Sequence, residues 1–530
     1  MSIELFKDEI RYSEQYLKDI IANSKSEESR SLAGANNLLE AIKYIKYGLV
    51  ANPALIKDMI NPESASMGTP FYFSFLDSKL DDTQGLAVKK ALAMNNILLI
   101  QGPPGAGKST TIVEMIRQIK KKEPKSKILV TSQTHVAVDN VLEKLIKNNF
   151  TSVVRVAAKT ETNDLLKDYY LASIFEQYRN SADPAFRELL DNFNKETPSN
   201  SDQTLDKVTT NILLSNQANK ILLSRDVIGI TANSLKRTNF SVADFIDYAI
   251  VDEVGKVTFA ELMFIARFVK KLILIGDPNQ LPAVLNQFQD GQTFDKQAWN
   301  HLADEPFINY LFDNVNPSCR VFLNKQYRMA KQIGNYISDC FYTFKDTKLQ
   351  NGISTVSNPN ALNFVDYNPQ GHIVAGGQSD NSSAPLSNPY EVQIIKILLD
   401  DLKNRGVDIT KEVAIISPYA EQVRLIRATF PSIKLENIDS VDAFQGRENK
   451  IVIFSCSRNK HVTEFFKKPN RINVAISRAI SEIWIVGSKE FCIQVDHLKR
   501  YYYYNREDND IRSFCNHYYF DGTEIKKSQP

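Results

Sequence analysis

Residues Gly102–Ser109 read Gly-Pro-Pro-Gly-Ala-Gly-Lys-Ser, the G-x-x-x-x-G-K-S pattern of a phosphate loop. Its glycines let successive backbone N–H groups converge on phosphate oxygens, and the helix N-terminus that follows adds partial positive charge. At such a site Lys108 reaches the β- and γ-phosphates and the Ser109 hydroxyl binds magnesium. The expected cradle is Gly102, Pro103, Pro104, Gly105, Ala106, Gly107, Lys108, Ser109 and Thr110. A chance Gly-rich turn would lack the required surroundings, which are present. Asn96–Ile100 reads as a buried parallel strand, and Ile112, Met115, Ile116 and Ile119 give the segment from Lys108 to about Lys121 helical spacing.

Phosphate chemistry also needs acidic groups. Tyr248-Ala249-Ile250-Val251-Asp252-Glu253 supplies a pair at the C-terminal end of a strand, where open α/β sheets bind ligands. Asp252 is the expected magnesium holder, mostly through water, and Glu253 the group that orients and deprotonates an attacking water. An exposed acidic pair is common and weak by itself; its place after an apolar strand downstream of the loop is what singles it out. Leu272–Ile275 is a further strand, and Gly276-Asp277-Pro278-Asn279-Gln280-Leu281-Pro282 follows it. Gln280 is the candidate sensor of the terminal phosphate, against the plainer reading of a structural turn.

The elements that must position these residues fill two blocks of short apolar runs alternating with helical segments, the pattern of parallel α/β sheets. The first block, about 80–311, has strand candidates at 96–100, 127–131, 153–156, 227–231, 248–251 and 272–275; the second, about 321–495, at 362–365, 413–416, 451–454 and 483–486. Only the first carries a phosphate loop. Ile3, Phe6, Ile10, Leu17, Ile20 and Ile21 share one helical face, and Leu32, Leu38, Leu39, Ile42 and Ile45 mark a second helix. The expected organisation is a helical N-terminal appendage (1–70), a first lobe (71–315) with a helical insertion at about 157–224, a second lobe (316–495) and a C-terminal tail (496–530). Asp183-Pro184 reads as a helix start, and 197–202 and 368–389 as loops.

The chain has 530 residues, too many for one core. Hydrophobic content of 43% and charged content of 24% are ordinary for a soluble globular protein. No apolar run approaches the length of a transmembrane helix, and the charged start lacks a signal core, so the expectation is a cytoplasmic protein, or a nuclear one in a eukaryote, with no membrane partner. The five cysteines (Cys319, Cys340, Cys456, Cys492, Cys515) form no C-x-x-C pair and read as free thiols, excluding a zinc site or disulfide framework. A net charge of +2 gives no general support for nucleic-acid binding, so any such binding requires a local groove.

Taken in order, these segments resemble superfamily 1 helicases of the Upf-like, 5′-to-3′ branch, over about 80–486. Leu80-Asp81-Asp82-Thr83-Gln84 resembles the Q motif, and Thr131-Ser132-Gln133-Thr134-His135-Val136-Ala137-Val138-Asp139 motif Ia. Val251–Lys256 resembles motif II and Gly276–Pro282 motif III. In the second block, Leu323-Asn324-Lys325-Gln326-Tyr327-Arg328-Met329 is similar to motif IV and Ile416–Gln422 to a Pro-Tyr segment. Ser440–Glu448 resembles motif V, and Arg471-Ile472-Asn473-Val474-Ala475-Ile476-Ser477-Arg478-Ala479 motif VI.

The resemblance implies two RecA-like parallel-sheet lobes, ATP and Mg2+ as cofactors, and single-stranded DNA or RNA as partner. It implies that Gln84 reads adenine, Tyr327 stacks on it, and Gly446 and Glu448 serve the nucleotide, Glu448 at the ribose. Arg328 and Arg478 would reach the γ-phosphate from the second lobe; a fork donating to two oxygens suits arginine. Lys108, Asp252, Glu253, Gln280, Arg328 and Arg478 are then the catalytic set, with Ser109 and Asp252 at the metal. Ser132, Gln133, Thr134, Thr231, Pro282, Ser417, Pro418, Tyr419 and Ser440 fall where the family touches the strand. Each of these could equally be a cap or turn residue, and Tyr327 an ordinary core tyrosine.

Departures stand beside the match. Motif II usually continues Asp-Glu-Ala-Ser-Gln, whereas this chain has Asp-Glu-Val-Gly-Lys, which puts coupling through the usual glutamine in doubt at Lys256. Ile476-Ser477 replaces Leu-Thr. The N-terminal segment is too short for the β-barrel of larger relatives; its helices suit a stalk or a docking site for a protein partner. The run Lys499–Arg506 suits a packed strand or helix end better than a base-stacking platform. Rival readings are an ATP-hydrolysing clamp or remodeller that does not unwind, and a phosphate-loop enzyme acting on a small molecule. No metal-binding nuclease cluster is recognisable outside the motor motifs.

Overall fold

The computed structural model describes residues 2–23, 29–157, 164–179, 222, 224–236, 246–283, 285, 301–302, 306–342, 348–368, 386–459, 461–508 and 511–528. The Asp183-Pro184 helix start, the loop at 197–202 and most of the 157–224 insertion and the 368–389 loop lie outside them. The chain divides into two compact units: Met1–Gly102, Gly107–Pro278 and Pro282–Leu323 form the first, and Pro103–Ala106, Asn279–Leu281 and Asn324–Pro530 the second.

The first unit is built on seven parallel strands: β1 (Ile97–Gln101), β2 (Ile128–Ser132), β3 (Val153–Val156), β4 (Val227–Thr231), β5 (Ile246–Val251), β6 (Val269–Gly276) and β7 (Arg320–Phe322). They lie in the order β3-β4-β2-β5-β6-β1-β7. The central strands are apolar along their length because helices cover both faces of a parallel sheet; Leu98, Leu99, Ile250 and Ile273 are wholly buried. Because the strands are parallel, β1, β2, β5 and β6 all end at one edge of the sheet, and their C-terminal residues carry Gly102, Ser132, Asp252 and Asp277.

The N-terminal helices Ser2–Asn23 and Ser29–Lys46 exist, but they are not an appendage. Phe6 packs edge-on against Phe259 at 5.4 Å and Phe307 at 5.8 Å between ring centroids, and Ala41 and Ile42 are fully buried in the same core. The apolar face that the sequence offers to a partner is spent on the first unit's own helices. Ile3, assigned to that face, is instead 57% exposed.

The short pair β8 (Lys325–Gln326) and β9 (Gln350–Asn351) opens the second unit. Its main sheet contains β10 (Leu362–Tyr367), β11 (Val413–Ser417), β12 (Ile438–Ser440), β13 (Asn449–Ser455) and β14 (Ala479–Val486). A second short pair, β15 (Asn505–Asp508) and β16 (Ile511–Phe514), precedes β17 (Asn516–Phe520) and β18 (Ile525–Ser528). The order is β12-β11-β13-β14-β10-β17-β18, parallel except for β18. The expected C-terminal tail is therefore an integral part of the sheet: β17 pairs with β10 from Asn363↔Asn516 to Tyr367↔Phe520. The tyrosine run ends a helix, Asp496–Tyr502; Tyr501 is fully buried and its hydroxyl donates to the Asn363 and Ile483 carbonyls. All five cysteines are free.

Candidate active site

The loop after β1 has the backbone its glycines require. Gly105 and Gly107 sit at φ 74° and 75°, the left-handed region that residues with a Cβ avoid. Gly107 also has no room for a side chain, since a Cβ there would lie 2.5 Å from Gln84 Nε2. Gln84 is buried at N3 of the helix Asp82–Ala93, where its Oε1 accepts the Asp81 N–H at 3.1 Å in a capping box. The Q-motif glutamine thus abuts the phosphate loop while one end of its amide holds a helix start. Lys108 Nζ donates to the Gly102 carbonyl at 2.8 Å, and Lys144 Nζ donates to Thr110 Oγ1 at 3.2 Å. Ser109 follows Lys108 in the first turn of the helix Lys108–Lys122.

Asp252 and Glu253 stand just past β5. Asp252 is buried, and its Oδ1 accepts the Glu253 N–H at 2.8 Å. Burial pushes its carboxyl up to about 6, against the attraction of Lys108; Glu253 adds to the rise, while its N–H and Lys144 oppose it. Glu253 has φ 51°, a conformation uncommon for a non-glycine residue and frequent at functional sites. Its Oε2 accepts from Thr134 Oγ1 at 3.3 Å and lies 4.0 Å from Lys256 Nζ. The departure from motif II therefore places a cation beside this carboxylate.

The donors fit magnesium. A hydroxyl (Ser109) and a buried carboxylate (Asp252) are hard oxygen ligands, and Mg2+ characteristically takes only one or two protein ligands plus phosphate oxygens and water. Among the described residues no group of three or more His, Cys, Asp or Glu side chains forms a metal cage.

In the second unit, loop residue Gly105 accepts the Tyr327 N–H on its carbonyl at 2.9 Å. Tyr327 is 37% exposed, so its ring is not a core tyrosine. Arg328 pairs through Nε with Glu448 Oε2, and its Nη1 donates to the Ser477 carbonyl at 3.4 Å. The two residues assigned to γ-phosphate and ribose thus hold each other. Arg478 is buried, donating to the carbonyls of Val474 at 3.1 Å and Arg447 at 3.2 Å, with Gln280 Oε1 at 3.5 Å. Gln280 and Arg478, placed in separate motifs, are neighbours. Gly446 turns the chain before Glu448 at φ 86°.

The strand-contact candidates divide. Ser132, Thr231 and Ser417 are buried, so their hydroxyls are not the exposed phosphate donors expected of them. Thr231 caps the short helix Ala232–Leu235, and the Ser417 hydroxyl bonds Ser457 Oγ at 2.9 Å. Thr134 caps the helix His135–Lys147. The Gln133 amide donates to Glu261 Oε2 at 2.5 Å, with Lys236 on the other carboxylate oxygen at 2.6 Å. Ser440 Oγ accepts the Ala443 N–H at 3.3 Å. Pro282, Pro418 and Tyr419 remain half-buried at the surface. Tyr419 OH receives a hydrogen bond from Arg458 Nε at 2.9 Å and shares one with Thr463 Oγ1 at 3.1 Å.

Sequence reasoning passed over Lys144, Glu261 and Arg458. Glu261 was findable, because Thr258-Phe-Ala-Glu261 has capping-box spacing. Lys144 and Arg458 carry no such local signal.

Profiles described as AAA domain match residues 79–213 and 187–287, and another of the same description matches 304–490, together well over half of the chain. An ATP-dependent helicase of Methanocaldococcus jannaschii is 26% identical over 92% of this chain and 78% of its own length. The ATP-dependent helicase upf1 of Schizosaccharomyces pombe is 28% identical over 77% of this chain. The chain belongs to the superfamily 1, Upf1-like helicases. These are P-loop NTPases, and the class is one of nucleic-acid-dependent ATPases. DNA polymerase alpha-associated DNA helicase A of Saccharomyces cerevisiae is also similar, 26% identical over 83% of this chain and 69% of the relative. The chain spans only 44% of the S. pombe upf1 helicase. No helix among the described residues is long and apolar enough to cross a membrane.

Proposed function

We propose that this chain is an ATP-driven translocase on single-stranded nucleic acid, moving 5′ to 3′ and separating duplexes with a single-stranded tail. The observation that carries the reading is an asymmetry. The first sheet ends in a phosphate loop and an Asp252–Glu253 pair whose aspartate is buried, while the second block of the sequence has no such loop and presents Arg328 and Arg478 at Ser477, with Gln280 beside Arg478. Such a division suits a motor in which nucleotide binding and the completion of hydrolysis fall to different sets of residues.

In this reading Lys108 exchanges the Gly102 carbonyl for phosphate oxygens. Ser109 and Asp252 would hold Mg2+, which would supply positive charge to neutralise the phosphates. Glu253 orients the attacking water and accepts its proton. Arg328 leaves Glu448, and both arginines stabilise charge on the transferred phosphoryl group. Gln84 favours adenine, and Tyr327 offers a ring to stack on it. Pro282 in the first unit, and Pro418 and Tyr419 in the second, are the strand-facing candidates, suited to backbone and ring contacts that carry little sequence information.

The test is ATPase activity with single-stranded DNA and then RNA, followed by displacement of partial duplexes with 5′ or 3′ tails. Stimulation by either polymer with displacement of 5′-tailed duplexes is expected. Displacement of 3′-tailed duplexes alone refutes the direction. Stimulated ATPase without displacement points instead to a clamp or remodeller.

A further inference from the structure

Glu391, in the helix Pro389–Asn404, is wholly buried and has no lysine or arginine partner among the described residues. A buried carboxylate without a cation costs several kcal/mol unless donors fill its lone pairs. Here Oε2 accepts from Ser455 Oγ at 2.5 Å and the Ser457 N–H at 2.9 Å, and Oε1 accepts from Tyr367 OH at 2.8 Å and Asn388 Nδ2 at 3.4 Å. An apolar residue would fill this interior at lower cost, so the carboxylate's specific bonds require an explanation.

The two bonds on Oε2 end at one turn, Ser455–Ser457. Ser457, two residues beyond β13, has φ 64°, the left-handed region that a residue with a Cβ avoids. The Glu391 bond to its N–H and the Ser417 hydroxyl at 2.9 Å hold it there. This backbone sets the direction of the next residue, Arg458. Its Nε–H goes to Tyr419 OH, and its guanidinium lies 5.5 Å from the Tyr419 ring centroid. Arg458 is half-exposed, and no carboxylate pairs with it among the described residues. A cation beside a half-buried aromatic ring at the surface is the combination that a single strand uses, phosphate on one and base on the other.

We propose that Arg458 binds a phosphate of the single strand beside Tyr419, and that Glu391 is the positioning residue that holds it there through the left-handed Ser457. The inference rests on the reading of Pro418–Tyr419 as strand-facing. It adds a cation to a set of strand-contact candidates that are otherwise uncharged.

The test is the salt dependence of binding of the full chain to poly(dT) and poly(U), between about 50 and 200 mM salt. Each phosphate contact on a single strand contributes about −0.7 to the slope of log K against log salt. Arg458→Ala should weaken binding and make the slope shallower by about 0.7, and Arg458→Lys should keep the slope. Glu391→Ala should lose the same increment, with no further loss in the double variant. Circular dichroism checks that the fold survives. The Arg458 side chain is half-exposed, so its variants decide the proposal even where Glu391→Ala unfolds. A full slope in Arg458→Ala, or in folded Glu391→Ala, overturns it. Absence of salt-sensitive binding by the unaltered protein overturns the nucleic-acid reading itself, and this inference with it.

Discussion

Arg328→Ala separates a catalytic arginine from a structural ion pair. In the structure the guanidinium is held by Glu448, with side-chain exposures of 19% and 44%. A pair this open to water is worth at most about 1 kcal/mol, a factor of about five. Breaking it therefore costs little when Arg328 moves to phosphate. An arginine that stabilises phosphoryl transfer is worth roughly 10³-fold or more in turnover, about 4 kcal/mol of barrier. The two roles thus differ by some two orders of magnitude. Steady-state ATPase with saturating single-stranded polymer reads both. Arg328→Ala should lower kcat roughly 10³-fold with ATP affinity nearly intact. Glu448→Gln should leave kcat within about five-fold and raise KM, because its proposed ribose contact forms in the ground state. Equal losses of kcat in the two variants, or near-normal turnover in Arg328→Ala, would mean that the pair is structural.

Lys108→Ala should abolish ATP binding, whereas Glu253→Gln should bind ATP and hydrolyse it very slowly; equal loss of nucleotide binding in both, measured by titration with a fluorescent ATP analogue, counts against the roles. Arg155 is fully buried and donates to Asp139 at 2.5 Å, with His135 Nδ1 at 3.0 Å. Arg155→Ala should cost about 3–5 kcal/mol in urea unfolding of the first unit, and a loss under about 1 kcal/mol refutes this. Burial raises Glu391 from the ordinary 4.5 to about 7. Its proton therefore favours the folded state; that stability is full below about pH 4.5 and lost as pH climbs through about 7, on the order of 3 kcal/mol in all. Tyr367 and Cys456, the titratable groups around it, keep their protons over this range because burial raises both. Thermal unfolding of the unaltered protein and Glu391→Gln should diverge with rising pH, and parallel curves would refute the shift.

Much of this protein is local in its sequence. A phosphate loop needs glycines at left-handed positions and a lysine at a helix start, all within eight residues, so Gly102–Ser109 can be read from the chain alone. The central strands are equally legible, because a strand covered on both faces must be apolar throughout; Val227–Thr231 matches its expected bounds, as does the edge strand Val153–Val156. The other edges were not. β7 and β12 are three residues each, and β17 reads Asn-His-Tyr-Tyr-Phe, so no apolar run marks them. They are strands because a neighbour offers unpaired backbone groups, a property of the partner rather than of the segment.

The same distinction divides the site residues. Sequence named Arg328, Glu448, Gln280 and Arg478 but could not show that the first two pair or that the last two adjoin, since side-chain partners up to 198 positions apart are set by packing. Nor could it tell exposed hydroxyls from buried ones. Ser132, Thr231 and Ser417 end their strands in the expected places, yet all three are buried. Glu391 and Arg458 belong wholly to tertiary structure: a glutamate in a helix and an arginine in a turn acquire meaning only when folding brings Ser455, Ser457 and Tyr419 around them. Backbone propensity and periodicity act over a few residues and so are written locally. Burial, ion pairing and hydrogen-bond satisfaction depend on whatever the rest of the chain brings alongside.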